Sequence, residues 1–183
     1  MKKINLKLFY IIISFLVSFE VISEDLFGLE MGKDAKEYFS KSLIDNNKID
    51  HPETKKGFYK LEVTSEMIKE NKSPFFEFYH VDLDDNDRIH GIAGSQSYRN
   101  IETCISVTKT LEEIVIKKFN ITLEIDSASY SDVKMESLDG WLDNDTRVAI
   151  NCNHYYESEN IEMWFFILSS TFQNAIEEYY DSM

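Results

Sequence analysis

The chain has 183 residues and a net charge of −14 at pH 7, from 33 Asp and Glu against 19 Lys and Arg. Such a field repels phosphate backbones and anionic membrane faces, which argues against nucleic acid and favours a cationic partner, a metal ion or simple solubility. Thirteen Phe and ten Tyr supply enough large apolar side chains to build a core and rule out general disorder.

At the N-terminus Lys2, Lys3 and Lys7 precede an uncharged, mostly apolar run from Leu8 to Phe19. Val21-Ile22-Ser23 follows, ahead of acidic Glu24 and Asp25. A basic head, a short apolar middle and a small-residue cut form the layout of a secretory signal peptide over residues 1–23. A spanning helix takes about 20 apolar residues; Glu20 ends this run earlier, and no Cys near the cut invites lipid attachment. The expected product is one exported domain, residues 24–183, periplasmic or secreted, with no stable membrane insertion after cleavage. Three Lys and one Glu leave with the leader, so the mature charge is −16.

Asp34 with Glu37 resembles a capping box, and Ala35, Tyr38, Phe39 and Leu43 then share one helical face. Asp45-Asn46-Asn47-Lys48 ends that helix, and Asn46 to Lys56 reads as loop, with order doubtful there and at the new N-terminus. Phe58 to Thr64 alternates as a strand, Ser65 to Lys72 is a polar turn, and Phe75 to Asp84 is a second strand. Asp85-Asn86-Asp87 turns the chain into a third, Arg88 to Ser97, where Gly91 and Gly94 imply a bulge or a close approach. Asn100 or Arg99 opens a long helix to about Lys118 with the stripe Ile101, Cys104, Ile105, Leu111, Val115 and Phe119. Ile121 to Ile125 is a strand, the polar stretch to Asp139 reads as irregular, and Thr146 to Tyr156 is the next strand. Ile161 to Leu168 is apolar on both faces, which predicts a central, doubly covered position. Ser170 with Gln173 opens a last amphipathic helix.

The predicted fold class is α+β: a single domain with a mainly antiparallel sheet of about six strands and helices packed on one side, in the order α-βββ-α-βββ-α. In an exported chain the even pair Cys104 and Cys152 reads as a disulfide, here from the helix stripe to the strand face shared with Val148 and Ile150. A redox or metal-binding thiol pair lacks the C-x-x-C spacing.

Phe27-Gly28-Leu29-Glu30-Met31-Gly32 just before a helix, the hairpin phrase Arg88-Ile89-His90-Gly91-Ile92, and Cys104 through Leu111 to Lys117-Lys118-Phe119 together resemble a group of small, uncharacterised exported (periplasmic) bacterial proteins. These begin with an FGxxxG-type phrase and carry one Cys on a helix and one on a late strand, as Cys152 is here. Phe119-Asn120 stands where such helices run into Tyr-Gly. The resemblance implies export, this fold and the disulfide, and it transfers no active site.

Few constellations carry chemistry. Asp82, Asp84 and Asn86 occupy the first, third and fifth positions of a calcium loop, but Asp87 stands where the sharp turn takes Gly and Ala93 where a bidentate Glu is expected. A polar hairpin turn accounts for the same residues. His80 and His90 lie on neighbouring strands and, with Asp82, are the candidates for zinc if the register brings them together. His51 and His154 show no partner spacing. There is no G-x-S-x-G elbow; Gly94-Ser95-Gln96-Ser97 lacks the strand-to-helix turn. No catalytic residue is assigned, and with no Gly-rich phosphate loop the sequence implies no cofactor. Two functions fit. The first is a non-catalytic, acidic binding protein of the cell envelope, with an envelope protein or a cationic partner, whose edge strand Phe58 to Thr64 accepts a partner's strand. The second is an enzyme or small-ligand carrier with a cavity near His80, His90 and the glycines of the third strand.

Overall fold

A computed structural model of the chain describes residues 28–55, 57–64, 66–67, 76–129 and 133–183. The expected leader over residues 1–23, most of the polar stretch Ser65 to Lys72, and Phe75 lie outside these.

The strands are β1 Lys48–Asp50, β2 Phe58–Val63, β3 Phe78–Asp84, β4 Ile89–Tyr98, β5 Glu124–Ser129, β6 Val133–Trp141, β7 Thr146–Tyr155 and β8 Ile161–Ser169. They form one antiparallel sheet in the order β1-β2-β3-β4-β8-β7-β6-β5. The helices are α1 Lys41–Asn47, α2 Ile101–Phe119 and α3 Ser170–Tyr180, with a single 3-10 turn at Ala35–Glu37.

The first face of the sheet carries the core. Cys152 points to α2, and residues level with it or two apart share its side: Val148, Ile150, Met163, Phe165, Ile167, Ile92, Val81 and Leu61. All of these are buried, with Cys104, Leu111 and Val115 of α2 and with Leu29, Ala35, Phe39 and Ile44 of the N-terminal segment. The Cys104–Cys152 disulfide ties helix to sheet, with 6.1 Å between the two Cα atoms. The N-terminal segment is strapped to the β3–β4 hairpin by backbone bonds, Gly32 N–H to the Ile89 carbonyl and Ala35 N–H to the Asp87 carbonyl, at 2.7 and 2.8 Å. Gly32 takes φ +77 there, a conformation that favours glycine.

The second face is covered differently. Here α3 and the segment at His51 to Thr54 lie over β2, β3, β4 and β8; Phe172 of α3 meets the rings of Phe58 and His51, each at 5.0 Å.

The expected layout of six strands with every helix on one side is therefore corrected on both counts. The count is eight. The stretch between Ile125 and Asp139, expected to be irregular, pairs as the β5–β6 hairpin, and Lys48–Asp50, expected in a loop, pairs with β2. The two strands beyond the expected six are β1 and β6, and the expected strand Ile121 to Ile125 shares only Glu124 and Ile125 with β5. The marginal strands β1 and β5 are polar because such a strand buries little and resists edge-to-edge association by its charge, and Ile125 of β5 is 80% exposed. The helices divide between the faces because β8 presents Trp164, Phe166 and Leu168 on the side away from α2, and that side needs its own cover. The central place of β8 between β4 and β7 agrees with its two apolar faces. Strand β2 is interior, paired with β1 and β3, so it is not the expected edge.

Element ends follow local chemistry. Asp34 caps the 3-10 turn by accepting from Lys36 N–H, but Ser40 accepts from Leu43 N–H and starts a separate α1, so the single expected helix is two pieces. Asn100 caps α2, which stops at Asn120 in the left-handed conformation. Ser169, not Ser170, caps α3.

Candidate functional site

Side chains alternate along a strand, so His80 and Asp82 of β3 leave the core to Val81 and Leu83 and face the other way. They meet Lys60 from β2, Trp164, Phe166 and Leu168 from β8, Asn153 and Tyr155 from β7, Phe172 and Ile176 from α3, and His51 to Glu53 from the loop after β1. These groups line a cavity of about 310 Å³ that is open to solvent on one side. Its walls are largely aromatic: Trp164 stacks on Phe166 at 5.6 Å and tilts over the His80 ring at 5.7 Å.

Asp82 is the anomaly in this cavity. It is 1% exposed, and neither carboxyl oxygen has a hydrogen-bond partner. His51 Nε2 stands 3.5 Å from Oδ1 and His80 Nε2 3.7 Å from Oδ2, both too long for a good hydrogen bond. Lys60 pairs with Asp82 in the β2–β3 register, yet its Nζ reaches Glu62 at 3.2 Å instead. Space for the carboxyl comes from Gly91 opposite: a Cβ there would lie 2.2 Å from Asp82 Oδ2. The register shifts at this point, so Gly91 faces Asp82 and Ile89 faces Leu83 while His90 is bulged out.

Burial controls the charges. It pushes Asp82 up to about 7, with Lys60 pulling down and Glu53 adding to the rise. It pushes His80 down to about 3, assisted by Lys60 and His51. His51 is also held below the ordinary imidazole range by burial, against Glu53 and with Lys60. Both imidazoles are thus neutral at pH 7, and their approaches to Asp82 are not ion pairs. Glu53 N–H donates to His51 Nδ1 at 3.2 Å, so the neutral ring carries its proton on Nε2 and turns an N–H toward Asp82.

The sequence-predicted candidates separate. His80 pairs with Ala93, and His90 lies further along, its Nδ1 2.9 Å from Ser169 Oγ, its Nε2 3.5 Å from Asp84 Oδ2 and its ring against Phe58. The two imidazoles proposed for zinc are thus in separate settings on one face. Of the calcium candidates, Asp82 lines the cavity, whereas Asp84 accepts from Asn86 N–H at 2.8 Å and Arg88 N–H at 2.9 Å. Asn86 sits exposed in the hairpin turn, where Asp87 adopts φ 62 and binds Lys36 and Lys48, each at 2.7 Å. Among the described residues no three His, Cys, Asp or Glu are arranged to hold a metal ion. Likewise, no helix among them is long and apolar enough to cross a membrane.

Sequence reasoning missed His51, Lys60 and Trp164. Part of this was readable: in β3 the polar pair His80 and Asp82 alternates with core residues, and β8 alternates Trp164, Phe166 and Leu168 with its own core set. Two such strands in one sheet, here separated by β4 alone, imply a second, partly polar pocket. His51 had no such cue, because it comes from a loop whose position depends on the β1–β2 pairing. No family model, no curated protein and no solved structure matches this chain.

Proposed function

We propose that this chain is an exported, non-catalytic protein that binds a small molecule in the cavity on the second face of its sheet. One observation carries the reading: a buried carboxyl without a hydrogen-bond partner lies against a cavity of about 310 Å³ walled by aromatic rings. An unsatisfied buried polar atom costs roughly 1–3 kcal/mol, and a ligand that meets it recovers that loss. The size and the mixture of apolar walls with a few polar groups are those of a small-molecule pocket. Binding rather than turnover is preferred because the lining holds no Ser, Thr or Cys, and its one lysine, Lys60, is turned to Glu62.

Saturation-transfer NMR with a mixed-charge library of small metabolites tests this. Ligands are expected that compete for one site and are lost when Ile176→Trp fills the cavity in a folded variant. If every ligand survives that filling, or none is found, the cavity is not a binding site.

A further inference from the structure

Three buried side-chain atoms of the cavity lining lack partners: Asp82 Oδ1, Asp82 Oδ2 and Asn153 Oδ1, whose own amide nitrogen donates to Tyr155 at 3.3 Å. With Asp82 deprotonated all three are acceptors, so the occupant is one that brings N–H or O–H donors and takes the place of the Asp82 proton. We infer that this occupant is a small primary ammonium on an aromatic or apolar stem, its nitrogen seated on Asp82. The inference rests on the ligand-binding reading above and names the ligand class.

Charge selects the ammonium over a neutral donor. Asp82 and Glu53 are the acids of the lining and Lys60 its standing cation, and Lys60 Nζ is drawn off to Glu62. The two imidazoles beside Asp82 are neutral and do not compete as cations. The whole chain is at −14, which concentrates cations at its surface. An anion would meet the carboxylate head-on. A quaternary ammonium has no N–H for the empty acceptors. A divalent metal needs three or more protein ligands, and among the described residues no three His, Cys, Asp or Glu are arranged to hold one.

The geometry also assigns a route. The Asp82 oxygens are shielded by the edges of His51 and His80. His80 is fixed in a strand between interior neighbours, whereas His51 sits on the loop after β1. Rotation of the His51 ring opens the gap. The ammonium then donates to Asp82, and also to His80 Nε2 in the tautomer that leaves that nitrogen bare. The stem lies along Trp164, Phe166 and Phe172, where a cation near Trp164 gains further from the indole face.

Two tryptophans are available as reporters, and Trp141→Phe removes the one outside the cavity, which is 49% exposed. In that background Trp164 fluorescence is titrated with 2-phenylethylammonium, 2-phenylethanol, 3-phenylpropionate and N,N,N-trimethyl-2-phenylethylammonium, and separately with Zn²⁺. The primary ammonium is expected to saturate the change and to bind about tenfold or more tighter than the others. Asp82→Asn, isosteric and verified as folded by its melt, should weaken it by a similar factor. Lys60→Met should tighten it, a sign that a purely structural role for Lys60 does not give. Equal or better binding of the alcohol, the acid, the quaternary amine or zinc overturns the ammonium assignment and leaves the cavity as a site for another ligand. An unchanged affinity in Asp82→Asn overturns it too. If no probe moves Trp164 while library ligands still compete for the cavity, the ammonium assignment alone is lost; if those also fail, both readings fall.

Discussion

Asp82 is a residue whose burial is unfavourable to the fold. Burial raises it from 3.8 to about 7, so between those values the folded chain keeps a proton that the unfolded chain has released. Stability from this group therefore falls as pH climbs from about 4 to about 7 and stays flat above. His80, lowered from 6.5 to about 3, acts in the opposite sense: the unfolded chain binds the proton, and stability rises with pH up to about 6.5. Asp82→Asn removes only the first contribution. Its stability gain over the wild type is expected to grow across pH 4 to 7, by a few kcal/mol at most (about 1.4 per pH unit). Urea unfolding of both proteins at several pH values checks this, and a constant difference would refute it. Gly91 gives a second test. An Ala Cβ there would press on Asp82 Oδ2 at 2.2 Å and on its Cβ and Cγ at 3.0 Å, so the whole side chain has to shift. Gly91→Ala should destabilise by roughly 1–3 kcal/mol, as overpacking does. The double variant with Asp82→Ala should recover much of that loss, because the two sites are in contact.

At the scale of elements, legibility follows how much of a segment's pattern is set by its own burial. Helix α2 was readable because Cys104, Leu111 and Val115 recur on one buried face and Asn100 supplies its cap. Strands β7 and β8 were readable for the same reason, with Val148, Ile150 and Cys152 or Met163, Phe165 and Ile167 alternating into the core. Strand β5 was largely misplaced, since Glu124, Asp126 and Ser127 are exposed and a marginal strand is held chiefly by its backbone pairing. In β6 only Leu138 and Gly140 face the core closely; Gly140 fits there because a Cβ would meet the Thr122 carbonyl at 2.7 Å. The disulfide joins the two best-specified elements across 48 residues of sequence. Closing a loop of that length constrains the unfolded chain by about 4 kcal/mol in the chain-entropy account. Replacing Cys104 and Cys152 by Ser is expected to lower unfolding stability by about 2–4 kcal/mol in urea. A loss below about 1 kcal/mol would mean that α2 packs on β7 without needing the bond.

The whole molecule is a sheet with two unlike faces, and the division of labour follows from it. The first face, closed by α2 and the N-terminal segment, holds the hydrophobic core. The second, spanned by α3, is left with a cavity because Phe172 and Ile176 cover only part of the aromatic surface of β8. Ser169 joins the two ends of this arrangement: its Oγ accepts from Phe172 N–H to start α3 and lies 2.9 Å from His90 Nδ1 on the β4 bulge. Export is the remaining proposal at this scale, and it rests on residues 1–23. Protein recovered from its host should begin at Glu24 and contain no free thiol. An intact leader in a membrane fraction, or two reduced cysteines, would remove the oxidising compartment from the account.

The amino-acid sequence by itself determined the elements with a buried face, because periodic apolar side chains are a local record of where the core lies. It also determined the acidity and the pairing of the two cysteines. Only the tertiary structure decided the number of strands and the split of helices between faces. It alone brought His51 and Lys60 to Asp82, since strand order, register and loop placement depend on backbone bonds that every residue type but proline makes alike.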